Sequence, residues 1–233
     1  MTSSTQKSSS LYRIMDFTRV VQIFERKELF FAHPKTWDDP YEMRLNHKHS
    51  HLLFAQCWCQ LAVSDAMWRI YSPNGMGVRI STTKEKLRAA VKAWAAPKGY
   101  KWRGEEVEYM PQGELNKSVR AIKNDLLENF SIGRAADSLY LKRDAFAHES
   151  EWRASIYCPD DDAIRRPALS GLTVPVEPHI LINRILLDPR APPELVGAFQ
   201  FYFKEKLKFR GDVSRSVLYK SPFPMNLDDD DEW

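Results

Sequence analysis

Apolar residues at Phe17, Val20, Val21 and Phe24 recur at the i, i+3, i+4, i+7 spacing of one helix face, and the run stops at Glu25-Arg26-Lys27-Glu28. The spacing predicts a helix between two short apolar strands, Leu11 to Met15 and Leu29 to Ala32, the second broken at Pro34. Trp37, Asp38, Asp39 and Pro40 then form a turn-prone loop. Leu52 to Cys59 reads as a buried strand. Ser64 can cap a short helix carrying Met67, Trp68 and Tyr71, which Asn74 and Gly75 stop. A strand over Met76 to Ile80 precedes a helix from Thr83 with Leu87, Ala90, Val91 and Trp94 on one face. Glu105 to Met110 has strand-like content, and Leu115, Val119, Ile122, Leu126 and Phe130 mark a long amphipathic helix.

Ser150 to Cys158 reads as a strand closed by Pro159 and a run of aspartates. A Pro-rich link over 159–178 leads to an apolar strand, Ile180 to Leu187. Pro193 opens a last helix with Leu195, Val196, Phe199, Tyr202 and Phe203 facing inward, and Val213 to Tyr219 forms a final strand. No internal repeat is present. These elements predict a single α+β domain over 11–222, with a mixed, mostly antiparallel sheet and flanking helices. The Ser- and Thr-rich residues 1–10 are expected to form a disordered arm, and 223–233 an acidic tail.

Composition narrows the class. With 43% hydrophobic residues and 12% aromatic ones in 233, the chain has ample material for a core and too much for a disordered protein. No stretch approaches the roughly 20 apolar residues that span a bilayer, and the first residues lack the apolar region of a secretion signal, so a cytoplasmic protein without membrane partners is expected. Three cysteines, Cys57, Cys59 and Cys158, fit a reducing compartment better than a disulfide framework. The net charge of +3 hides five acidic residues at 228–232. Outside that run, 34 Lys and Arg face 26 Asp and Glu, a net of +8, which suits a nucleic acid or a phosphate-bearing ligand and equally a surface of dispersed lysines.

The segment His148-Glu149-Ser150-Glu151-Trp152-Arg153 has the most chemical content. A strand would place Glu149, Glu151 and Arg153 on one face, about 7 Å apart at each step. Two such carboxylates can divide the work of substitution at a sugar carbon, one stabilising an oxocarbenium-like centre and the other positioning or deprotonating the nucleophile. A charged strand face with a Glu–Arg pair would look the same. Arg13 interrupts an apolar strand and so needs a partner, either a phosphate or an acid such as Glu151 or Asp39. Trp58, Trp68 and Tyr71 could wall a flat ring or simply fill the core. His47, His49 and His51 alternate as metal ligands on a strand would, although a solvated loop explains them as well. Asp38, Asp39 and Glu42 could bind magnesium as in a nuclease, or form an ordinary turn. Cys57 and Cys59, in an apolar strand, should stay protonated and inert.

Several short segments in order resemble a bacterial family of uncharacterised proteins, domain-of-unknown-function family twenty-nine seventy-one. They are Leu11-Tyr12-Arg13; Leu29-Phe30-Phe31-Ala32 leading to Asp39-Pro40-Tyr41-Glu42; Met67-Trp68-Arg69-Ile70-Tyr71 before Gly77-Val78; and Glu149-Ser150-Glu151-Trp152-Arg153. This resemblance implies a shared fold and pocket and no stated activity. A more distant one is to ADP-ribosyltransferases, which order an arginine on the first strand, a Ser-Thr-Ser strand and a late Glu-x-Glu pair. Arg13, Cys57-Trp58-Cys59 and Glu149-Ser150-Glu151 occupy that order, with the cysteines standing where hydroxyls are usual.

That resemblance implies NAD as substrate and no metal. Arg13 would hold the NAD⁺ backbone, an aromatic would pack on nicotinamide, with Trp58, Trp68 and Tyr71 as candidates, Glu151 would bind the ribose and Glu149 would activate a macromolecular acceptor; Arg153 joins Arg13 as an anion contact if the protein is a binding module instead. The expected function is thus an ADP-ribosyltransferase-like enzyme that transfers ADP-ribose or hydrolyses NAD⁺, as a toxin or phage-defence effector. A non-catalytic nucleotide- or nucleic-acid-binding module and a metal-dependent nuclease are the alternatives.

Overall fold

Arg13 lies within β1 (Ser10–Asp16), which runs without a loop into α1 (Phe17–Arg26), where Val20, Val21, Ile23 and Phe24 are buried as the spacing requires. Lys27 takes a left-handed conformation, φ 53°, which ends the helix and turns the chain into β2 (Glu28–Ala32). This is a computed structural model whose described residues are 9–159 and 170–224. Most of the Ser/Thr-rich arm, residues 160–169 of the Pro-rich link and the acidic tail from 225 lie outside them.

The chain continues through β3 (Leu53–Cys59) and α2 (Asp65–Tyr71), capped by Ser64 Oγ accepting from the Met67 N–H. It then forms β4 (Gly77–Thr83), α3 (Lys84–Ala95), β5 (Lys101–Glu106), β6 (Glu108–Met110), α4 (Gln112–Glu128) and α5 (Ile132–Asp137). After β7 (Leu141–Arg143) come β8 (Glu151–Tyr157), β9 (Gly171–Pro175), α6 (Pro178–Leu181), β10 (Arg184–Leu187), α7 (Pro193–Phe201) and β11 (Asp212–Arg215). Among the described residues no helix is long and apolar enough to cross a membrane.

Among the described residues nine strands form one mixed, mostly antiparallel sheet. Its path is β11-β10-β4-β1-β3-β2-β9, with β8 on β3 and β5 on β8; only β10 and β11 pair in parallel, and β6 with β7 makes a separate parallel ribbon. β3 pairs with β8 along its whole length, from Leu53 opposite Tyr157 to Cys59 opposite Glu151. On its other edge it meets β1 only at Cys59, opposite Tyr12, and β2 only at Ala55, opposite Ala32. Between those contacts β1 and β2 part, and the sheet splits beside residues 56–58.

The main core lies where α1, α3 and α7 pack on the sheet, around Leu11, Val20, Phe24, Phe31, Phe54, Trp58, Ile80, Leu87, Trp152 and Phe203. A smaller cluster of Ile14, Cys59, Met67, Trp68 and Leu186 lies under α2.

Several expectations need correction. The strand placed over Ile180 to Leu187 is a helical turn followed by a strand, because Pro178 starts α6. Glu105 to Met110 belongs to two strands in different sheets, parted at Val107, whose N–H bonds to the Glu151 carbonyl. Residues 171–175 of the Pro-rich link form an edge strand on β2, where Pro175 stands opposite the strand-starting Glu28. The final strand ends at Arg215 rather than Tyr219.

Candidate functional site

The split in the sheet is bordered by two adjoining cavities that share Arg13, Met15 and Arg19. One, about 320 Å³, is lined also by Cys57, Trp58, Cys59, Tyr71, Glu149 and Glu151; the other, about 300 Å³, by Gln22, Arg26, Phe30, Gln56 and Thr173. By register Tyr12, Cys59 and Glu151 share one face of the sheet and Arg13 faces the other way. Arg13 still borders the glutamate cleft because β1 has parted from β3 at this point. Half-buried, its side chain makes no hydrogen bond or ion pair with any described residue. Burial lowers its pKa, against the pull of Cys57, Tyr71 and Glu151 and with help from neighbouring Arg19. A guanidinium so placed lacks the anion that would offset its partial desolvation.

Glu149 and Glu151 are not rungs of one strand, as the alternation suggested. Glu149 ends a 3₁₀ segment, Asp144–Glu149; Ser150 takes φ 42°, and β8 begins only at Glu151. This left-handed step brings both carboxylates onto one ammonium. Lys142 Nζ donates to Glu149 Oε2 at 2.5 Å and to Glu151 Oε1 at 2.6 Å, while Tyr71 Oη donates to Glu149 Oε1 at 3.3 Å. The Glu151 N–H donates to Tyr109 Oη at 2.8 Å, which fixes the start of the strand.

The two acids divide electrostatically. Burial, together with its hydrogen bond to Glu151, pushes the Glu149 carboxyl up to about 7 against the opposing pull of Lys142. Burial also disfavours ionised Glu151, but Arg153, the Glu149 hydrogen bond and Lys142 outweigh it and hold this carboxyl well below the usual range. The site therefore carries a fixed carboxylate beside one that exchanges a proton near neutrality.

Arg153 does not line the cleft. It is fully buried: its Nη2 donates to Glu151 Oε2 at 2.5 Å and to Glu42 Oε1 at 2.6 Å, and its Nη1 to the Leu139 carbonyl. Trp68 is also outside the cleft, packed with Ile14 and Met67 beneath the guanidinium of Arg79. Trp58 is 1% exposed and donates from Nε1 to Gln56 Oε1, so it supplies floor rather than a stacking face. Tyr71, 42% exposed, is the aromatic ring of the original three that reaches solvent at the cleft. Burial pushes the Cys57 thiol up to about 12, which leaves it protonated.

The other candidates do not assemble. Asp39 accepts from Arg143 Nη2 at 2.9 Å and caps the Tyr41 N–H, while Glu42 is occupied by Arg153, so this acidic set is neutralised by cations of the chain. The segment with His47, His49 and His51 is a loop and a 3₁₀ turn, and the first two rings lie 5.5 and 5.2 Å from Phe130. Among the described residues no group of three His, Cys, Asp or Glu has metal-binding geometry. Lys142 carries little signal in sequence, because it ends the apolar run Leu139-Tyr140-Leu141 and is followed directly by Arg143 and Asp144. Sequence reasoning missed it and missed Glu42 as the acid that anchors Arg153.

Three solved structures of Thermus sp. 2.9 DarT are similar to this chain. The complex with NAD⁺ has a TM-score of 0.43 at 11% identity, over 89% of this chain and 95% of that one. The complex with carba-NAD⁺ gives 0.41 at 10% over the same shares, and that with ADP-ribosylated ssDNA gives 0.45 at 10% over 93% and 98%. No curated protein matches the sequence. Residues 67–154 match the family described as protein of unknown function (DUF2971), and over this segment, which holds Tyr71, Glu149 and Glu151 but not Arg13, the chain is similar to that family.

Proposed function

We propose that this protein binds NAD⁺ at the split in the sheet and breaks its nicotinamide–ribose bond, passing ADP-ribose to a macromolecule or to water. The observation that carries the reading is the unpaired guanidinium of Arg13 bordering the same cleft as the ion-paired carboxylate of Glu151. Arg13 supplies the anion partner a diphosphate needs, and Tyr71 offers an exposed ring beside the glutamates. As the glycosidic bond breaks, its electron pair goes to the nicotinamide nitrogen and neutralises the pyridinium. Positive charge then develops at the ribose C1′, and Glu151, ionised and held by two cations, opposes it without reorganising. A macromolecular nucleophile bonds to C1′ and gives its proton to Glu149, whose carboxyl titrates at about 7 and so is partly ionised near neutral pH, whereas an attacking water gives its proton to solvent. Such an activity suits a toxin or defence effector of the cytoplasm.

A second reading, a non-catalytic nucleotide- or nucleic-acid-binding module, is favoured by Arg13 and Arg19 lining the second cavity, where Arg26 is paired with Glu28 at 3.9 Å. One experiment separates the two: titration of the protein with NAD⁺ by calorimetry, followed by chromatography for free nicotinamide, with and without single-stranded DNA as acceptor. Binding with nicotinamide release supports the enzyme, binding without release the module, and neither would remove the NAD⁺ reading.

A further inference from the structure

Behind the two glutamates stands a lysine that does not line the cleft. Lys142, on β7, is 5% exposed, and its ammonium reaches Glu149 at 2.5 Å, Glu151 at 2.6 Å and Glu42 at 3.8 Å, with the Phe146 ring 4.9 Å from Nζ. The three acids come from three segments: the Asp144–Glu149 turn, β8, and the Pro40–Met43 turn. We propose that Lys142 is a positioning residue: by holding Glu149 Oε2 and Glu151 Oε1 on one nitrogen, it sets the gap between the carboxylates and, with Arg153, supplies the positive charge that holds Glu151 as the anion of the pair. The inference rests on the NAD⁺-cleaving reading for its kinetic consequence only.

The charge balance of the buried cluster supports this. Glu42, Glu149 and Glu151 face Lys142 and Arg153, so one negative charge is in excess when all are ionised. Glu151 is held by both cations and Glu42 has Arg153 at 2.6 Å, whereas Glu149 has Lys142 and the neutral hydroxyl of Tyr71. Burial raises the carboxyls of both Glu42 and Glu149, and the geometry favours Glu149 for the proton that relieves the excess, because Glu42 has the Arg153 guanidinium at 2.6 Å. The other titratable groups near the pair are Tyr71, Tyr109, Cys57 and Cys59, neutral at neutral pH, and Arg13, Arg19 and Asp16, which line the cleft. A cation forming in the cleft would take the place of that proton, which links ionisation of Glu149 to the chemistry at Glu151.

The test compares two variants in ¹³C-carboxyl NMR titrations of glutamate-labelled protein, with the Glu151 signal identified by its loss on Glu151→Gln. Glu149→Gln retains the lysine. Glu149→Gln matches the charge of the parent with Glu149 protonated, and Glu149→Gln combined with Lys142→Met removes the lysine and one positive charge of the cluster. The Glu151 midpoint should rise by at least about one pH unit, tenfold in proton affinity, when the lysine is removed; an unchanged midpoint overturns the proposal. In the kinetic arm, transfer by the parent should climb through pH of about 7, and Lys142→Met should move that limb upward; an unmoved limb also overturns it. Should the parent release no nicotinamide, the enzyme reading fails while the NMR comparison still decides the role of Lys142. Failure of both lysine-free variants to melt cooperatively would mark Lys142 as structural and overturn the proposal.

Discussion

Arg153 Nη2 lies 2.5 Å from Glu151 Oε2 and 2.6 Å from Glu42 Oε1, so a guanidinium that reads in sequence as a ligand contact serves instead to hold the carboxylate facing the cleft. Its removal leaves two buried acids short of a cation. Arg153→Met should therefore destabilise the fold by about 3 to 5 kcal/mol, the usual cost of breaking a buried pair from one side. Denaturant melts measure this directly. A loss under about 1 kcal/mol would mean that Glu42 and Glu151 find other partners or take up protons at little cost.

Arg13→Ala should behave in the opposite way. The side chain has no internal hydrogen bond to lose, so the melting temperature should stay within a few degrees of the parent, while NAD⁺ affinity falls by about tenfold or more, the scale of a charge-assisted contact. Calorimetric titration with thermal melting as control gives both values. Unchanged affinity would detach Arg13 from the ligand.

Glu151→Gln should abolish NAD⁺ turnover, with a loss on the order of 10² to 10³ in rate, because the amide keeps the shape but not the charge opposing an oxocarbenium-like centre. Glu149→Gln should spare hydrolysis and impair transfer. Nicotinamide release and acceptor labelling distinguish the two, and equal activity in both variants and the parent would refute the site.

The raised carboxyl of Glu149 has a consequence for stability with a definite sign. An acid whose folded pKa, about 7, exceeds its ordinary 4.5 binds its proton more tightly in the native state. Its contribution is full below the ordinary value and is lost as pH rises through about 7. Glu151, shifted the other way, contributes above the ordinary carboxylate range and loses that contribution in acid. Between pH of about 5 and about 8 the parent should lose more melting temperature than Glu149→Gln, which has no proton to release there. Parallel curves for the two proteins would mean that Glu149 is not titrating in this range.

Gly104, on β5 opposite Ala154, leaves room for the Trp152 ring: a Cβ built there would lie 2.4 Å from two ring atoms. Gly104→Ala should therefore cost about 1 to 3 kcal/mol through overpacking, read as a shift in denaturant midpoint without a change in slope. No change would show that the ring moves aside freely.

The local elements and the chemical inventory were legible in the order of the residues. Period-3.6 spacing located α1, α3 and α4, apolar runs located β1, β3 and β8, and Ser64 and Thr83 served as caps, because these features depend on neighbours along the chain. Arg13, Glu149 and Glu151 stood out because charge among apolar residues demands a partner. Which partner each would find was a matter of tertiary structure. Arg13 and Arg153 pose the same question in sequence; the first lies at the split between β1 and β2, and the second at full-length pairing between β3 and β8, so one is left without a partner and the other is enclosed. The pairing of Glu149 with Glu151 depends on the left-handed Ser150 and on Lys142, brought from β7 by its pairing with β6. Local periodicity carries no record of where a sheet divides or of which distant cation fills a gap, since both follow from long-range packing of the whole chain.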